Sequence, residues 1–218
     1  MIKAILWDND GVLVDTEPLY FAATREVLGE VGIILTEEMY RSLILVDGRG
    51  AWHLAEERGV SPKEIERLRT ERNEHYGRMI ADGFNIIDGA VETLGALYGR
   101  FVMGVVTSSR KDHFDLIHRS SRLLHFFDFV ITSEDFPKSK PHPDPYLLAV
   151  ERCRLSSEEC LAVEDSERGL ISAKAAGIHC FIIPTPLTRH SSFGAADAVL
   201  ESIREVPNAL RSLQANLP

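Results

Sequence analysis

The sequence predicts an α/β fold: a parallel sheet with helices on both faces, and an all-helical segment inserted after the first strand. Three observations predict it. Short apolar runs recur along the chain, at Ile2 to Leu6 (broken only by Lys3), Phe101 to Val106, Phe129 to Ile131, Cys160 to Val163 and His179 to Ile183; strands that lack polar alternation are those buried on both sides. From Asp88 onward helical patterns separate these runs, the βα alternation of a parallel sheet. Between about residues 16 and 86 no strand pattern occurs, only helical periodicity with polar joints. The expected division is therefore a core of residues 1–15 and 87–218 and a helical insert of residues 16–86.

Taken in order, the first strand runs into Trp7-Asp8-Asn9-Asp10-Gly11, after which Leu19, Phe21, Ala22, Val27, Leu28 and Val31 trace an apolar helical stripe. Thr36 opens a further helix. Ser61-Pro62-Lys63-Glu64 combines an N-cap Ser, a Pro at the first helical position and a Glu three residues after the cap. A helix to about Tyr98 precedes the second strand, Pro143-Asp144-Pro145 starts another, and Ser156 and Glu159 bracket a turn. A helix from about Glu167 to Ala176 stops at Gly177, and Ala198-Val199-Leu200 forms a short edge strand before the last helix.

Composition narrows the function classes. Lys and Arg number 24 against 33 Asp and Glu, a formal charge of −9, which argues against a general nucleic-acid binder. Hydrophobic residues at 44% suffice for a real core. Cys153, Cys160 and Cys180 lack metal-ligand spacing and read as reduced thiols of a cytoplasmic protein. No run approaches the ~18 apolar residues of a membrane span, and no leader pattern stands at the N-terminus.

The chemistry gathers where strands end. Asp8 and Asp10 are two apart, so on extended chain they start toward one face, and Gly11 permits a sharp turn behind them. Alone, the stretch reads equally as a cation or phosphate site and as an acidic turn. Thr107-Ser108-Ser109-Arg110 follows the second strand, Lys140 lies on the loop after Phe129 to Ile131, and Glu164-Asp165-Ser166 follows the Cys160 strand. Each has a plainer reading: Thr107 to Ser109 and Glu164 to Ser166 as helix caps, Lys138 and Lys140 as solvated loop charges. Parallel strands bring their C-terminal ends to one edge, and all four groups sit there with compatible chemistry, which favours a site.

Clustered carboxylates repel; a like pair ~4 Å apart costs about 4 kcal/mol at an effective dielectric of ~20, so a cation belongs among them. An oxygen-only ligand set points to Mg²⁺ rather than Zn²⁺. If a carboxylate attacks a phosphoryl group, both partners are anionic, so catalysis must come from neutralising charge and positioning. Mg²⁺ and Lys140 serve that need, with Thr107 offering a hydroxyl donor and the amides after it a phosphate cradle. Asp10, set among anionic neighbours, is expected to carry the proton transfer.

Four motifs, Asp8-Asn9-Asp10-Gly11-Val12-Leu13, Val105-Val106-Thr107-Ser108, Lys140-Pro141-His142-Pro143-Asp144 and Val163-Glu164-Asp165-Ser166, together resemble the haloacid dehalogenase superfamily over nearly the whole chain. The similarity is to its phosphatase branch with a Rossmann-like core and a helical cap domain. The resemblance implies that Asp8 forms an aspartyl-phosphate that water then cleaves, with Asp10 as acid and then base. It implies Mg²⁺ held by Asp8, the backbone carbonyl of Asp10 and Asp165, with Glu164 in direct contact or one step behind. Thr107 and Lys140 would hold the phosphoryl group, and Ser108 and Ser109 would contact it or the substrate. The family's dehalogenases lack an Asp at the position of Asp10, which disfavours dehalogenation.

In this branch the cap selects the substrate. Arg49, within Asp47-Gly48-Arg49-Gly50, stands about where relatives carry a specificity loop and reads equally as a contact for a second anionic group and as an exposed turn residue. Trp52, His53, Tyr20 and Tyr76 read as packing or surface. Asp15-Thr16 and Asp88-Gly89 are the expected hinges. The expected function is a Mg²⁺-dependent phosphatase acting on a small phosphorylated metabolite, a sugar phosphate or phosphoglycolate-like monoester. The alternative is a mutase of the β-phosphoglucomutase type, disfavoured because Tyr20 stands where mutases usually carry a His. A non-catalytic phosphate sensor fits less well, since receiver-like domains are shorter and lack the insert. The expected partners include no nucleic acid or membrane, and the expected assembly is a monomer or weak homodimer.

Overall fold

The apolar runs form one six-stranded sheet. Its strands are β1 (Ala4–Trp7), β2 (Val102–Val106), β3 (Phe129–Ile131), β4 (Cys160–Glu164), β5 (His179–Ile182) and β6 (Ala198–Val199). In space the order is β3-β2-β1-β4-β5-β6, and every neighbouring pair is parallel. The chain builds outward from β1 to β3, then returns to the other side of β1 with β4. That reversal makes β1 and β4 the switch point, outside whose carboxyl ends ligands bind in such sheets.

A computed structural model describes residues 1–216 and divides the chain into two compact units, Met1–Asp15 with Ile86 onward, and Thr16–Asn85. In the sheet unit every residue of β1 and β4 is buried, as expected of strands covered on both faces. Side chains alternate: Ala4, Leu6, Cys160, Ala162, Cys180 and Ile182 join Tyr146 and Ala149 of helix Asp144–Cys153, and Leu170 and Ala173 of helix Glu167–Ala175, in one core cluster. Ile5, Trp7, Leu161 and Val163 have the other parity and are also buried.

The second unit is built from helices Glu17–Glu30, Glu37–Tyr40, His53–Glu57 and Pro62–Asp82, with a π-helical stretch Arg41–Val46. Thr36 and Ser61 cap as expected, accepting from the Met39 and Glu64 amides at 3.2 and 3.3 Å. The first helix buries Ala23, Thr24, Val27 and Leu28 rather than the whole apolar stripe. Thr24 can be buried because its hydroxyl donates to the Tyr20 carbonyl at 2.7 Å. The long helix buries Ile65, Leu68, Arg72, Tyr76 and Ile80, so a cation stands on its apolar face. Arg72 lies 4.3 Å from the Tyr20 ring centroid and 5.7 Å from that of Trp52, while Tyr76 meets Tyr20 edge to face at 5.2 Å. Tyr20, Tyr76 and Trp52 thus pack around a buried guanidinium.

The second crossing falls between Asn85 and Ile86, ahead of Asp88-Gly89. Within the sheet unit Asp88 pairs with Arg204 at 2.8 Å. Among the described residues no helix is long and apolar enough to cross a membrane. Leu161, fully buried in β4, should cost about 2–5 kcal/mol of unfolding free energy when changed to Ala, read from urea titrations monitored by circular dichroism.

Candidate active site

Register does much of the positioning. Trp7 pairs with Val105 on one side and Val163 on the other, so Asp8 leaves β1 level with the end of β2 and with Glu164. The Asp8 amide continues the ladder, donating to the Val163 carbonyl at 2.9 Å. Glu164 shares parity with Cys160 and Ala162, which turns it under the helices that cover that face. Asp165, one residue on, turns the other way and meets the loop after β1. Gly11 makes that approach possible: it has φ +82°, and a Cβ there would lie 2.6 Å from Asp165 Oδ2. The Asn9 carbonyl gathers the loop, accepting from the Leu13 and Val14 amides at 2.8 and 3.1 Å.

Lys140 is the centre of the site. Its Nζ lies 2.8 Å from Asp8 Oδ1, 2.8 Å from the Val106 carbonyl and 2.5 Å from Glu164 Oε1, and it is only 5% exposed. Tyr146 donates to the same Glu164 oxygen at 2.6 Å. Asp8, Glu164 and Asp165 each offer a carboxylate oxygen, all within 4.8 Å of one another. Fully ionised, these three carboxylates against one ammonium leave two negative charges, a hard oxygen set suited to a divalent cation. Burial first, then the charge of Glu164, pushes the Asp8 carboxyl up to about 7, with Lys140 opposing. Burial also disfavours the Lys140 ammonium, but Asp8 and Glu164 outweigh it and hold its pKa above the usual lysine range.

Asp10 forms the second focus. Its Oδ2 accepts from Ser109 Oγ at 2.6 Å, Asn9 Nδ2 at 3.3 Å and Thr107 Oγ1 at 3.4 Å. Thr107 Oγ1 in turn accepts from the Ser109 amide at 3.0 Å.

The sequence profile of the haloacid dehalogenase-like hydrolases matches residues 5–183. The chain belongs to this family. This hydrolase is similar to the protein CbbY of Cereibacter sphaeroides, at 30% identity with 94% of each chain covered. It is similar to the fructose-1-phosphate phosphatase YqaB of Escherichia coli, at 29% identity over 80% of this chain and 92% of the relative. A crystal structure of a CbbY variant from Rhodobacter sphaeroides in complex with xylulose-(1,5)bisphosphate superposes with a TM-score of 0.80 at 28% identity, covering 94% of this chain and 96% of that one.

Of the residues singled out in the sequence, the hydrolase brings Asp8, Asp10, Thr107, Ser109, Lys140, Glu164 and Asp165 together at the sheet's carboxyl edge. Ser108 is set apart, bonded to Ser139 Oγ at 2.8 Å, and Lys138 is exposed. Arg49 is an exposed residue of the helical unit. Thr107 to Ser109 do not cap the next helix; its N-terminal Lys111 amide donates to the Glu134 carboxylate at 3.0 Å instead. Ser166 does cap, accepting from the Gly169 amide at 3.2 Å. Sequence reasoning missed Tyr146, Asn9, His118 and Gly169. A Cβ on Gly169 would fall 1.9 Å from Glu164 Oε2, so that glycine makes room for the buried acid. For His118 a signal existed: it and Ser121 are polar residues on the buried stripe with Phe114 and Ile117.

Burial, opposed by Asp10 and Asp115, lowers the His118 pKa to about 4 from an unfolded value of 6.5. The unfolded chain therefore takes up the proton first, and stability falls as pH drops from 6.5 towards 4. Urea titrations should show wild type losing on the order of 3 kcal/mol relative to His118→Gln across that window.

Proposed function

We propose that this hydrolase is a Mg²⁺-dependent phosphatase that cleaves a small phosphorylated metabolite, a sugar phosphate or related monoester, through an aspartyl-phosphate on Asp8. The observation that carries the reading is the Lys140 ammonium 2.8 Å from Asp8 Oδ1, inside a carboxylate trio compact enough for one divalent ion. Asp8 attacks phosphorus. Lys140 and Thr107 hold the phosphoryl oxygens, while Glu164 and Tyr146 keep the Lys140 amine aimed. Asp10 protonates the leaving oxygen and then takes a proton from the attacking water. Asp8, the Asp10 backbone carbonyl and Asp165 would hold the cation, with Glu164 in direct contact or one step behind. When bound, Mg²⁺ supplies charge neutralisation for both the nucleophile and the phosphoryl oxygens.

The names of the relatives, a fructose-1-phosphate phosphatase and a CbbY bound to a sugar bisphosphate, support a phosphorylated sugar as substrate. Arg49 is the proposed contact for a second anionic group and Ser108 for the substrate, whereas Ser109, engaged with Asp10, steadies that acid. Residues 16–85 act as the substrate-selecting cap. Three free cysteines support a reducing, cytoplasmic setting, with the protein acting as a monomer or weak homodimer.

A panel of phosphorylated metabolites assayed for released phosphate with and without Mg²⁺ tests the reading; no release from any ester would overturn it. With a hexose 1-phosphate and a bisphosphate primer, free phosphate should accumulate rather than an isomer. Asp8→Asn should abolish turnover and phosphoenzyme formation, both measured with labelled substrate. Asp10→Asn should still transfer the phosphoryl group from an activated aryl phosphate, and equal residual activity in the two variants would contradict this division of labour. Asp165→Asn should weaken Mg²⁺ binding at least 10-fold by calorimetry.

A further inference from the structure

His118 has no place in the chemistry described so far, yet it is 5% exposed and bonded at both ring nitrogens. Its Nε2 lies 2.8 Å from Asn9 Oδ1, and its Nδ1 lies 2.8 Å from Ser121 Oγ. The donors can be assigned. Asn9 Nδ2 faces Asp10, so Asn9 Oδ1 accepts from Nε2–H, while Ser121 Oγ, which accepts from the Leu123 amide at 3.2 Å, has a hydroxyl hydrogen to give to Nδ1. The ring is then neutral with its proton on Nε2, where the acceptor is the Asn9 amide oxygen. That fixes the Asn9 amide, whose Nδ2 points at Asp10 Oδ2 from 3.3 Å. The alternative amide orientation would set its oxygen against a carboxylate.

We propose that His118 is a positioning residue for Asp10, acting through Asn9 in a chain of one-way hydrogen bonds from the Leu123 amide to Asp10 Oδ2. This rests on the reading of Asp10 as the acid and base. The Asn9 and Ser109 donors both meet Oδ2, at 3.3 and 2.6 Å, and so hold the carboxyl plane in one rotation. The chain runs across the sheet unit, from the helix Lys111–Ser121 to the loop after β1. A packing role alone would be met by a leucine, without burying an imidazole that must find two partners. Fixing a proton-transfer group in this way is the kind of contribution whose loss costs rate out of proportion to the displacement.

The test compares two esters with Mg²⁺ present. An alkyl phosphate needs its leaving oxygen protonated; 4-nitrophenyl phosphate does not, and its first turnover, seen as a burst of nitrophenolate, reports attack by Asp8 alone. His118→Leu should lower kcat on the alkyl ester about 10- to 100-fold with little change in KM, and should leave the burst rate within about threefold of wild type. His118→Gln, which can present an amide donor near the Nε2 position, should restore kcat to within about threefold. Asn9→Ala cuts the same chain at its next link and should reproduce the ester selectivity of His118→Leu, so the idea stays testable if the leucine variant does not fold. The proposal is overturned if both reactions fall together, if neither changes, or if glutamine behaves as leucine does. A wild type that hydrolyses neither ester would instead remove the phosphatase reading, and the proposal with it.

Discussion

A lysine ammonium buried between two carboxylates is the interaction on which the site depends. Lys140 contacts Asp8 and Glu164 from a loop that follows β3, two strands away from β1. Removing one partner of such a buried cluster leaves an uncompensated charge, which is far costlier than losing an exposed pair. The surface pairs of this protein, such as Arg110 with Asp112, belong to the inexpensive class. The cluster also explains several features that carry no chemistry. Tyr146 occupies the helix position that lets its hydroxyl reach Glu164, and Gly169 leaves the space that Glu164 fills. The burial that lifts the Asp8 carboxyl makes the same group responsive to any cation brought beside it.

Two hydrogen-bonded systems meet at the carboxyl edge and divide the work. One is ionic and buried, joining Asp8, Lys140, Glu164 and Tyr146. The other is mostly neutral and reaches Asp10 from Asn9, Ser109 and Thr107. They share the loop after β1, where Asp8 and Asp10 are separated by a single residue whose carbonyl gathers the turn and whose amide faces the second acid. Asn9 thus serves both the shape of the loop and the orientation of the side chain beyond it.

Much of this was legible in the sequence, for a physical reason. Parallel strands buried on both faces announce themselves as apolar runs, and polar residues directly after them are bound to share an edge. Asp8, Thr107, Lys140, Glu164 and Asp165 could be placed together on that basis. What stayed hidden depends on the angle at which a helix lies on the sheet. Tyr146 looks like an ordinary member of an amphipathic helix until the covering geometry is known, and the polar residues on the His118 stripe signal a buried bond without naming its partner. The bond from Ser109 to Asp10 was not legible either, because it depends on the chain after β2 folding back through the Thr107 hydroxyl before the helix begins. Arg72 was illegible because a guanidinium among aromatic rings mimics an apolar position.

The pairing of Trp7 with Val163 sets a rule for how this protein can vary. Side chains reverse face with every residue along a strand, so one amino acid added or deleted inside β1 or β4 would send Asp8 and Glu164 to opposite sides of the sheet. Length is therefore frozen within these strands and free beyond them. Diversification of such a chain has to be written into the segments hung from the strand tips, while the few residues between start and tip keep a fixed count.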